Sequence, residues 1–201
     1  MNLDKDLYQA CERNTPEEVR EFLRKGADPN GYCDDNGWFP LHKSAFRDNK
    51  DLAEALVKHG ARADVVTHRG NLPLHFAARF GRTNVLPFLL SVITDKNKQN
   101  EDGDTALHKA VANGETEAVK LLAPLTDLTI KNKKDETIAD LAFKQKNQDI
   151  RDVFVDVIIN LAEKGEAINK VYYPFINEKI LHCIRDGKNF ISILPSWFGE
   201  N

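Results

Sequence analysis

Apolar residues recur along the chain at intervals of three and four, in pairs of short segments that polar turns separate. Leu52, Ala55 and Leu56 show this spacing in one second segment, and it is typical of an amphipathic helix. The corresponding positions in the other second segments are Val85, Leu86, Leu89 and Leu90; Ala118, Val119, Leu121 and Leu122; and Ile150, Val153, Phe154, Val157 and Ile158. Gly26 and Gly60 follow two such segments and are expected to end helices. The pattern of one unit therefore predicts a turn, a short helix, a longer helix and a loop.

The first segments of the pairs repeat a short motif. Its copies read Phe-Pro-Leu-His-Lys-Ser-Ala at 39–45, Leu-Pro-Leu-His-Phe-Ala-Ala at 72–78 and Thr-Ala-Leu-His-Lys-Ala at 105–110. Leu41, Leu74 and Leu107 are each 33 residues apart, and a degraded copy, Thr-Ile-Ala-Asp-Leu-Ala, follows at 137–142. A polar turn precedes every copy, and three of the four turns hold a glycine, the residue that a tight turn with positive φ favours.

This pattern resembles the ankyrin repeat, whose period of about 33 residues and Thr-Pro-Leu-His core it matches in three consecutive units. The resemblance covers residues 4–163 and implies an all-α solenoid of helix-turn-helix units joined by β-hairpin-like turns. The predicted units are an N-terminal capping repeat at 1–33, repeats at 34–66, 67–99, 100–131 and 132–163, and a helical C-terminal cap at 164–201. These five ankyrin units are called repeats 1 to 5 below.

Four residues depart from the family pattern. Phe39 and Leu72 stand where the family prefers threonine, so we expect altered support of the following turn. Asp140 replaces the motif histidine in repeat 5. Pro87 lies early in the second helix of repeat 3, where we expect it to bend the helix.

The motif histidines His42, His75 and His108 raise the question of a metal or acid-base site. Residues one repeat apart are separated by the width of a repeat, too far for their nitrogens to lie ~2.0 Å from one zinc ion. The resemblance implies instead that this histidine bonds backbone groups and fixes the turn. No phosphate-binding, nucleophile-elbow or paired-cysteine motif occurs either, so we predict no catalytic residue, no cofactor and no metal.

Composition and charge disfavour several classes of protein. The 201 residues are 41% hydrophobic and 29% charged, which suits a globular core. The formal charge of −3 disfavours a general nucleic-acid binder, and no apolar stretch approaches the ~20 residues of a membrane span. The first residues lack a secretory signal pattern, and the three cysteines are scattered. We expect a cytoplasmic protein with reduced thiols, or one in a host cytosol if it is an exported bacterial effector.

The resemblance places partner binding on the concave face that the turns and first helices form. The residues predicted to contact a partner protein are Trp38, Phe46, Arg47, Arg69, Asn71, Arg79, Phe80 and Asp104. Tryptophan and arginine dominate interface energetics, so the anchor is expected over repeats 2 and 3, with the aromatic rings facing solvent. The alternative is that Trp38 and Phe39 cover a turn and that the phenylalanines fill gaps between first helices. The predicted function is a noncatalytic protein-protein interaction module.

The segment that follows repeat 5 leaves two interpretations open. Its apolar stretch at 189–198 could cap the last repeat, or it could recruit a second protein and make the molecule an adaptor or effector. Residues 181–185 and 193–195 are faintly similar to a C-terminal box that recruits a ubiquitin-ligase component, but Lys179 stands where that box has leucine. The oligomeric state also stays open, because the Trp197-Phe198 pair could pack internally or against another copy.

Overall fold

The computed structural model describes residues 2–144 and 148–163. This part of the chain contains ten α-helices, one short 3-10 helix and no strand. The α-helices are α1 (Leu3–Arg13), α2 (Pro16–Arg24), α3 (Pro40–Phe46), α4 (Lys50–Lys58), α5 (Pro73–Arg79), α6 (Leu86–Val92), α7 (Ala106–Asn113), α8 (Thr116–Leu122), α9 (Ile138–Lys144) and α10 (Gln148–Glu163), and the 3-10 helix is Ala123–Leu125. The predicted C-terminal cap at 164–201 and the box-like segment within it lie outside the described residues.

The odd-numbered helices form one layer and the even-numbered helices a second layer. Each odd-numbered helix packs on its own partner, and α1, α3, α5 and α7 also pack on the odd-numbered helix of the next repeat. The motif leucines Leu41, Leu74 and Leu107 are at most 1% exposed, and the alanines Ala45 and Ala110 are fully buried. Burial of these apolar stripes between neighbouring repeats stabilises the array, since no single repeat encloses a core. The predicted all-α repeat solenoid is confirmed.

The motif histidines connect each repeat to the next. The Nδ1 atom of His75 accepts the backbone N–H of Leu72 at 3.1 Å, so Nε2 carries the proton and donates it to the carbonyl oxygen of Asp104 at 3.1 Å. His42 and His108 make the same two kinds of contact. Burial lowers the pKa of His42 and of His75 to about 4, which keeps both rings neutral near pH 7. The structural role expected for this histidine is confirmed.

The departures at Phe39 and Leu72 have a limited effect. In repeat 4 the hydroxyl of Thr105 accepts the N–H of His108 at 3.3 Å, a bond that the other two side chains lack. Both of their helices begin instead with proline, whose fixed φ suits the first helical position. The histidine ring still accepts the N–H of Phe39 and of Leu72, so the turn keeps its main side-chain support.

Pro87 sets where α6 begins. It lies at the second position of the helix, which starts at Leu86, later in its repeat than α4 and α8 do. Proline is tolerated in a first turn, where no intrahelical N–H bond is required. The N–H groups of Asn84 and Val85 are bound by the carboxylate of Asp48, each at 3.0 Å. The expectation that Pro87 bends the helix is therefore wrong: the helix is shortened at its start instead.

Asp140 makes one of the two kinds of hydrogen bond that the motif histidine makes, namely the bond within its own repeat. Its carboxylate accepts the N–H of Thr137 at 2.8 Å and the hydroxyl of Thr137 at 2.7 Å. These bonds lower the pKa of Asp140, so it is ionised near neutral pH. An ionised carboxylate has no proton to donate, so the forward hydrogen bond that His42, His75 and His108 make has no equivalent in repeat 5.

Candidate protein-binding surface

The turns of repeats 2 to 5 form a row of similar loops beside the first helices. In the first of them Gly37 adopts a φ of +76°, and a Cβ atom there would lie 2.7 Å from the backbone nitrogen of His68. That nitrogen donates to the carbonyl oxygen of Asn36 at 3.1 Å, which joins this turn to the next. Equivalent bonds run from Glu101 to Arg69 and from Lys133 to Asp102, each at 3.0 Å. The row therefore holds its exposed side chains in a fixed register.

Four half-buried aromatic side chains cross this surface, and we call them the aromatic row: Trp38, Phe46, Phe76 and Phe80. The ring centroid of Trp38 lies 4.1 Å from that of Phe76 and 5.8 Å from that of Phe46. Phe46 and Phe80 meet edge to face at 5.1 Å. The rings thus fill the space between α3 and α5 and are also partly exposed. The rings therefore face solvent only in part, and their packing on one another agrees with the alternative that phenylalanines fill gaps between first helices.

Arginine side chains surround the aromatic row. Arg47, Arg69 and Arg79 are exposed, and we call them the arginine set. The Cζ atom of Arg79 lies 5.2 Å from the Phe80 centroid, and that of Arg47 lies 5.9 Å from the Phe46 centroid. Guanidinium groups at such distances are attracted to the ring faces. One terminal nitrogen of Arg47 also donates to the backbone carbonyl oxygen of Glu12 at 2.9 Å, so Arg79, which makes no such bond among the described residues, is the more available to a partner.

Two members of this surface were not predicted from the sequence. Phe76 follows the motif histidine of repeat 3, at the position that Lys43 and Lys109 occupy in the adjacent repeats. A comparison of the repeats at that position would have found it. Arg82 lies beyond α5, and its Cζ atom is 5.6 Å from the Phe46 centroid and 5.8 Å from the Phe80 centroid. No repeat motif indicates that it folds back onto the row.

Lys43 and Lys109 on this face have carboxylate partners within the molecule, whereas the arginine set does not. The ammonium of Lys43 lies 2.9 Å from the Glu12 carboxylate. That of Lys109 lies 2.8 Å from Asp104 and 3.5 Å from Asp102. Among residues 2–144 and 148–163, no carboxylate lies within 4.0 Å of the arginine set or of Arg82.

The structure places the remaining two predicted contact residues in hydrogen bonds between turns. Besides its pair with Lys109, Asp104 accepts a hydrogen bond from the side-chain amide of Asn132 at 3.0 Å. The side-chain oxygen of Asn71 accepts one from Asn100 at 2.8 Å. Both residues are half-buried and hold neighbouring turns together. Their polar groups are less available to a partner than those of the arginine set.

A cleft of about 260 Å³ opens between the turns and α5. It is lined by Asn36, Trp38, Thr67, His68, Arg69, Asn71, His75, Phe76, Arg79, Asp102 and Lys109. Four predicted residues therefore meet in one place, namely Trp38, Arg69, Asn71 and Arg79. Phe46, Arg47, Phe80 and Asp104 are not among its lining residues.

At the other edge of the surface, Tyr8 and Asp34 support the first turn. The Tyr8 hydroxyl donates to Asp34 at 2.6 Å, and burial together with this bond raises the pKa of Tyr8. Burial opposes ionisation of Asp34, but hydrogen bonds from Tyr8 and from the N–H groups of Trp38 and Asn36 lower its pKa overall. Asp34 is thus an ionised acceptor that holds the turn carrying Trp38.

Within the part of the chain that the structure describes, no cluster of three or more histidine, cysteine or acidic side chains is arranged to hold a metal ion. None of the described helices combines the length and apolar character that crossing a membrane requires. Among the described residues, the side chains best suited to bind a partner are the aromatic row and the arginines beside it.

Comparison with known proteins agrees with the architecture. The family model for ankyrin repeats (3 copies) matches residues 7–100 and 89–169. The E3 ubiquitin-protein ligase KEG of Arabidopsis thaliana is 28% identical over 136 residues, which is 64% of this chain and 8% of that protein. The ankyrin repeat protein FPV031 of fowlpox virus is 29% identical over 203 residues, covering 90% of this chain and 58% of the viral protein. Human neurogenic locus notch homolog protein 1 is 30% identical over 138 residues, or 68% of this chain and 5% of that protein.

The chain spans less than two thirds of the length of each of these relatives, and the likeness lies in the repeats. The two matched ranges together extend over most of the chain, including every helix described above except the first residues of α1. The repeated motif, the histidine bonds between repeats and the family match therefore agree. The chain belongs to the ankyrin repeat family.

Proposed function

We propose that this protein is a noncatalytic module that binds a partner protein on the concave surface formed by the aromatic row and the arginine set. Ankyrin repeats generally mediate protein-protein interactions, which supports the class of function. The observation that carries the choice of surface is the presence of three exposed arginines beside partly exposed rings, with no carboxylate partner among the described residues.

The rigidity of the turns favours binding. The turns of repeats 2 to 4 are each joined to the next by a backbone hydrogen bond and by a buried histidine, so their backbone is already ordered before a partner arrives. Association then costs less conformational entropy than the folding of a flexible loop. An interface of about 1,200 to 2,000 Å², the usual size for stable complexes, is accessible to an array of several repeats.

Affinity capture from a eukaryotic cytosolic extract tests the surface. The wild type is compared with a Trp38→Ala/Phe80→Ala variant and with a matched control, Phe22→Ala/Phe88→Ala, whose half-buried rings lie on the second helices α2 and α6. We expect a captured protein to be lost with the first variant and retained with the control. Circular dichroism and thermal denaturation confirm that both variants are folded. Retention of every captured protein by the first variant would contradict the proposal.

The alternative is that the apolar segment at 189–198 recruits a second protein, as in an adaptor or effector. A chain truncated after Gly187 distinguishes the two functions in the same capture experiment. A protein lost only with this truncation would make the tail the recognition element. The ligase activity in the name of one relative lends no support here, because the match covers 8% of that protein.

A further inference from the structure

We infer that the partner segment bound by this surface is acidic, with carboxylates that pair with Arg69 and Arg79 in the cleft and an apolar side chain that rests on Trp38 and Phe76. This inference rests on the proposed function, and it names the chemistry of the partner at the same surface. It follows from the distribution of charge on the concave face, from the lining of the cleft and from the flanking turns.

Lys43, Lys109 and Lys144 are neutralised by carboxylates of the molecule, whereas Arg69 and Arg79 near the cleft, like the exposed Lys133 and Lys134 in the repeat 5 turn, form no ion pair within the described residues. Lys43 and Lys109 each contact two carboxylates, and Lys144 lies 2.7 Å from Glu136. Arg69 and Arg79 are exposed and have no such partner within the described ranges. Arginine presents a planar set of donors that matches both oxygens of a carboxylate, so an acidic side chain is the complementary group.

The cleft combines this charge with an apolar wall. Three cationic side chains and one carboxylate line it, and that carboxylate, Asp102, already lies 3.5 Å from Lys109. Trp38 and Phe76 supply the apolar wall. A segment in which an acidic residue neighbours an apolar one would satisfy both features, whereas a purely apolar segment would leave the arginines without acceptors.

Arg82, near the end of α5, is a further cation without a carboxylate partner among the described residues. Its guanidinium lies over Phe46 and Phe80, and its Nε atom is buried without a hydrogen-bond acceptor. A second carboxylate of the partner at this end of the aromatic row would place negative charge beside Arg47 and Arg82, since both contact the Phe46 ring. The acidic positions of the partner are thus expected to flank its apolar residues.

The turns on either side of Arg69 favour a peptide over a nucleic acid. Asp35 precedes it in the row of turns, and Glu101 and Asp102 follow it, all of them exposed. A continuous chain of phosphates crossing the row would approach these carboxylates and be repelled. A peptide can place its few carboxylates at the arginines and neutral residues elsewhere.

Selection from a library of short random peptides displayed on phage, with the full chain as bait, tests the inference. We expect the selected peptides to be enriched in aspartate and glutamate next to leucine or aromatic residues. The best peptide, labelled with fluorescein, is then compared by anisotropy with a counterpart in which asparagine and glutamine replace its acidic residues. We expect the counterpart to bind about tenfold or more weakly, and the wild-type affinity to fall as salt is raised.

Two variants of the protein complete the test. Arg69→Gln/Arg79→Gln is expected to weaken the acidic peptide about tenfold or more and to remove the difference between it and its amide counterpart. Arg20→Gln/Arg24→Gln removes the same charge from the exposed face of α2, and we expect its effect to stay within about twofold.

The outcomes separate the inference from the function on which it rests. Equal affinity for the two peptides, or no effect of Arg69→Gln/Arg79→Gln, overturns the inference. If Trp38→Ala/Phe80→Ala still weakens binding in that case, the surface binds a partner of other chemistry and the proposed function stands. If that variant binds the peptide as the wild type does, or if the library yields no binder, both are overturned. Displacement of the peptide by single-stranded DNA at equal charge concentration also overturns the choice of an acidic peptide.

Discussion

The surface formed by the turns and first helices differs between its two halves, although both halves are built on the same helical scaffold. Over repeats 2 and 3 it carries the aromatic row and the arginine set, whose charges have no described internal partner. Over repeats 4 and 5 the cations are lysines: Lys109, Lys131 and Lys144 each contact a carboxylate of their own chain, whereas the exposed Lys133 and Lys134 form no ion pair within the described residues. A charge that is already paired loses those contacts when a partner approaches, so it adds little to binding. Residue type alone therefore does not identify a binding surface; the pairing of each charge within the molecule matters as much.

The largest expected difference between the halves appears on acidification. His42 and His75 belong to repeats 2 and 3, and burial lowers the pKa of each from 6.5 to about 4. Burial also lowers the pKa of His108 in repeat 4, so in the other half only repeat 5 lacks such a histidine. The unfolded chain therefore binds more protons than the folded chain between these values, so stability is complete above pH 6.5 and falls as the pH drops toward 4. Protonation of each histidine in the unfolded chain should lower the free energy of unfolding by about 2 kcal/mol at pH 5, relative to its value at neutral pH.

Repeat 5 should resist this acidification, because hydrogen bonds from Thr137 lower the pKa of Asp140 below its ordinary value of 3.8. Stability that depends on Asp140 is lost only as the pH falls through that lower range. Hydrogen exchange at pH 7 and at pH 5, corrected for intrinsic rates, measures the difference by region. We expect amides of α3 and α5 to lose more protection than those of α9. Equal losses would refute the assignment to the histidines.

The next largest difference is expected in stability: substitution of the motif residue should destabilise the protein more in repeat 3 than in repeat 5. His75→Ala removes a bond to its own helix and a bond to the next turn and leaves a cavity, so we expect a loss of about 2 to 4 kcal/mol. Asp140→Ala removes the hydrogen bonds with Thr137 in the same repeat, and we expect a loss of about 1 kcal/mol. Urea denaturation at pH 7 measures both. A cost for Asp140→Ala as large as that for His75→Ala would show that the forward bond contributes little.

Substitutions in repeats 2 and 3 should weaken ligand binding more than substitutions in repeats 4 and 5. Trp38→Ala/Phe80→Ala is expected to cost about 2 kcal/mol or more of affinity for any ligand of the concave surface, because large rings at an interface centre carry much of its energy. Lys109→Ala/Lys144→Ala in the other half should cost less than about 1 kcal/mol. Titration calorimetry with the selected peptide or a captured partner measures both. A larger effect of the lysine pair would move the binding surface to repeats 4 and 5.

The smallest difference concerns the turns themselves. Gly103 in repeat 4 and Asp135 in repeat 5 occupy the same turn position, with φ values of +75° and +61°. Asp135→Gly should raise the free energy of unfolding by up to about 1 kcal/mol, because the left-handed conformation suits glycine. Gly103→Asp should lower it, since a Cβ atom there would lie 2.6 Å from the backbone nitrogen of Lys133. Thermal denaturation tests the exchange, and stabilisation by Gly103→Asp would contradict it.

Most of the scaffold could be predicted from the sequence because its determinants are local and repeated. The spacing of Leu41, Leu74 and Leu107 indicates the period, and the glycines indicate the turns. Pro87 shows where this reasoning failed. Its position relative to the start of α6 depends on Asp48, which binds the N–H groups of Asn84 and Val85 from the preceding repeat. Sequence spacing does not report that contact.

The candidate surface was only partly predictable for a similar reason. Arginines and rings at variable positions of the turns and first helices are visible in the sequence. That the rings pack on one another, that Phe76 and Arg82 join them, and that Asp104 accepts a hydrogen bond from Asn132 are contacts between different repeats. They depend on how closely the repeats stack, which the burial of leucine and alanine between the layers decides.

The order of helices and turns, and the family, thus follow from the chain read along its length, because apolar periodicity, helix ends and positive-φ glycines act over a few residues. The distribution of free and neutralised charge arises only after folding. Lys43 and Glu12 are 31 residues apart and Asn132 and Asp104 are 28 apart, yet stacking brings each pair within 3.0 Å. Attraction between such groups falls with distance in space and has no relation to separation in sequence, so tertiary structure decides which charges remain available to a partner.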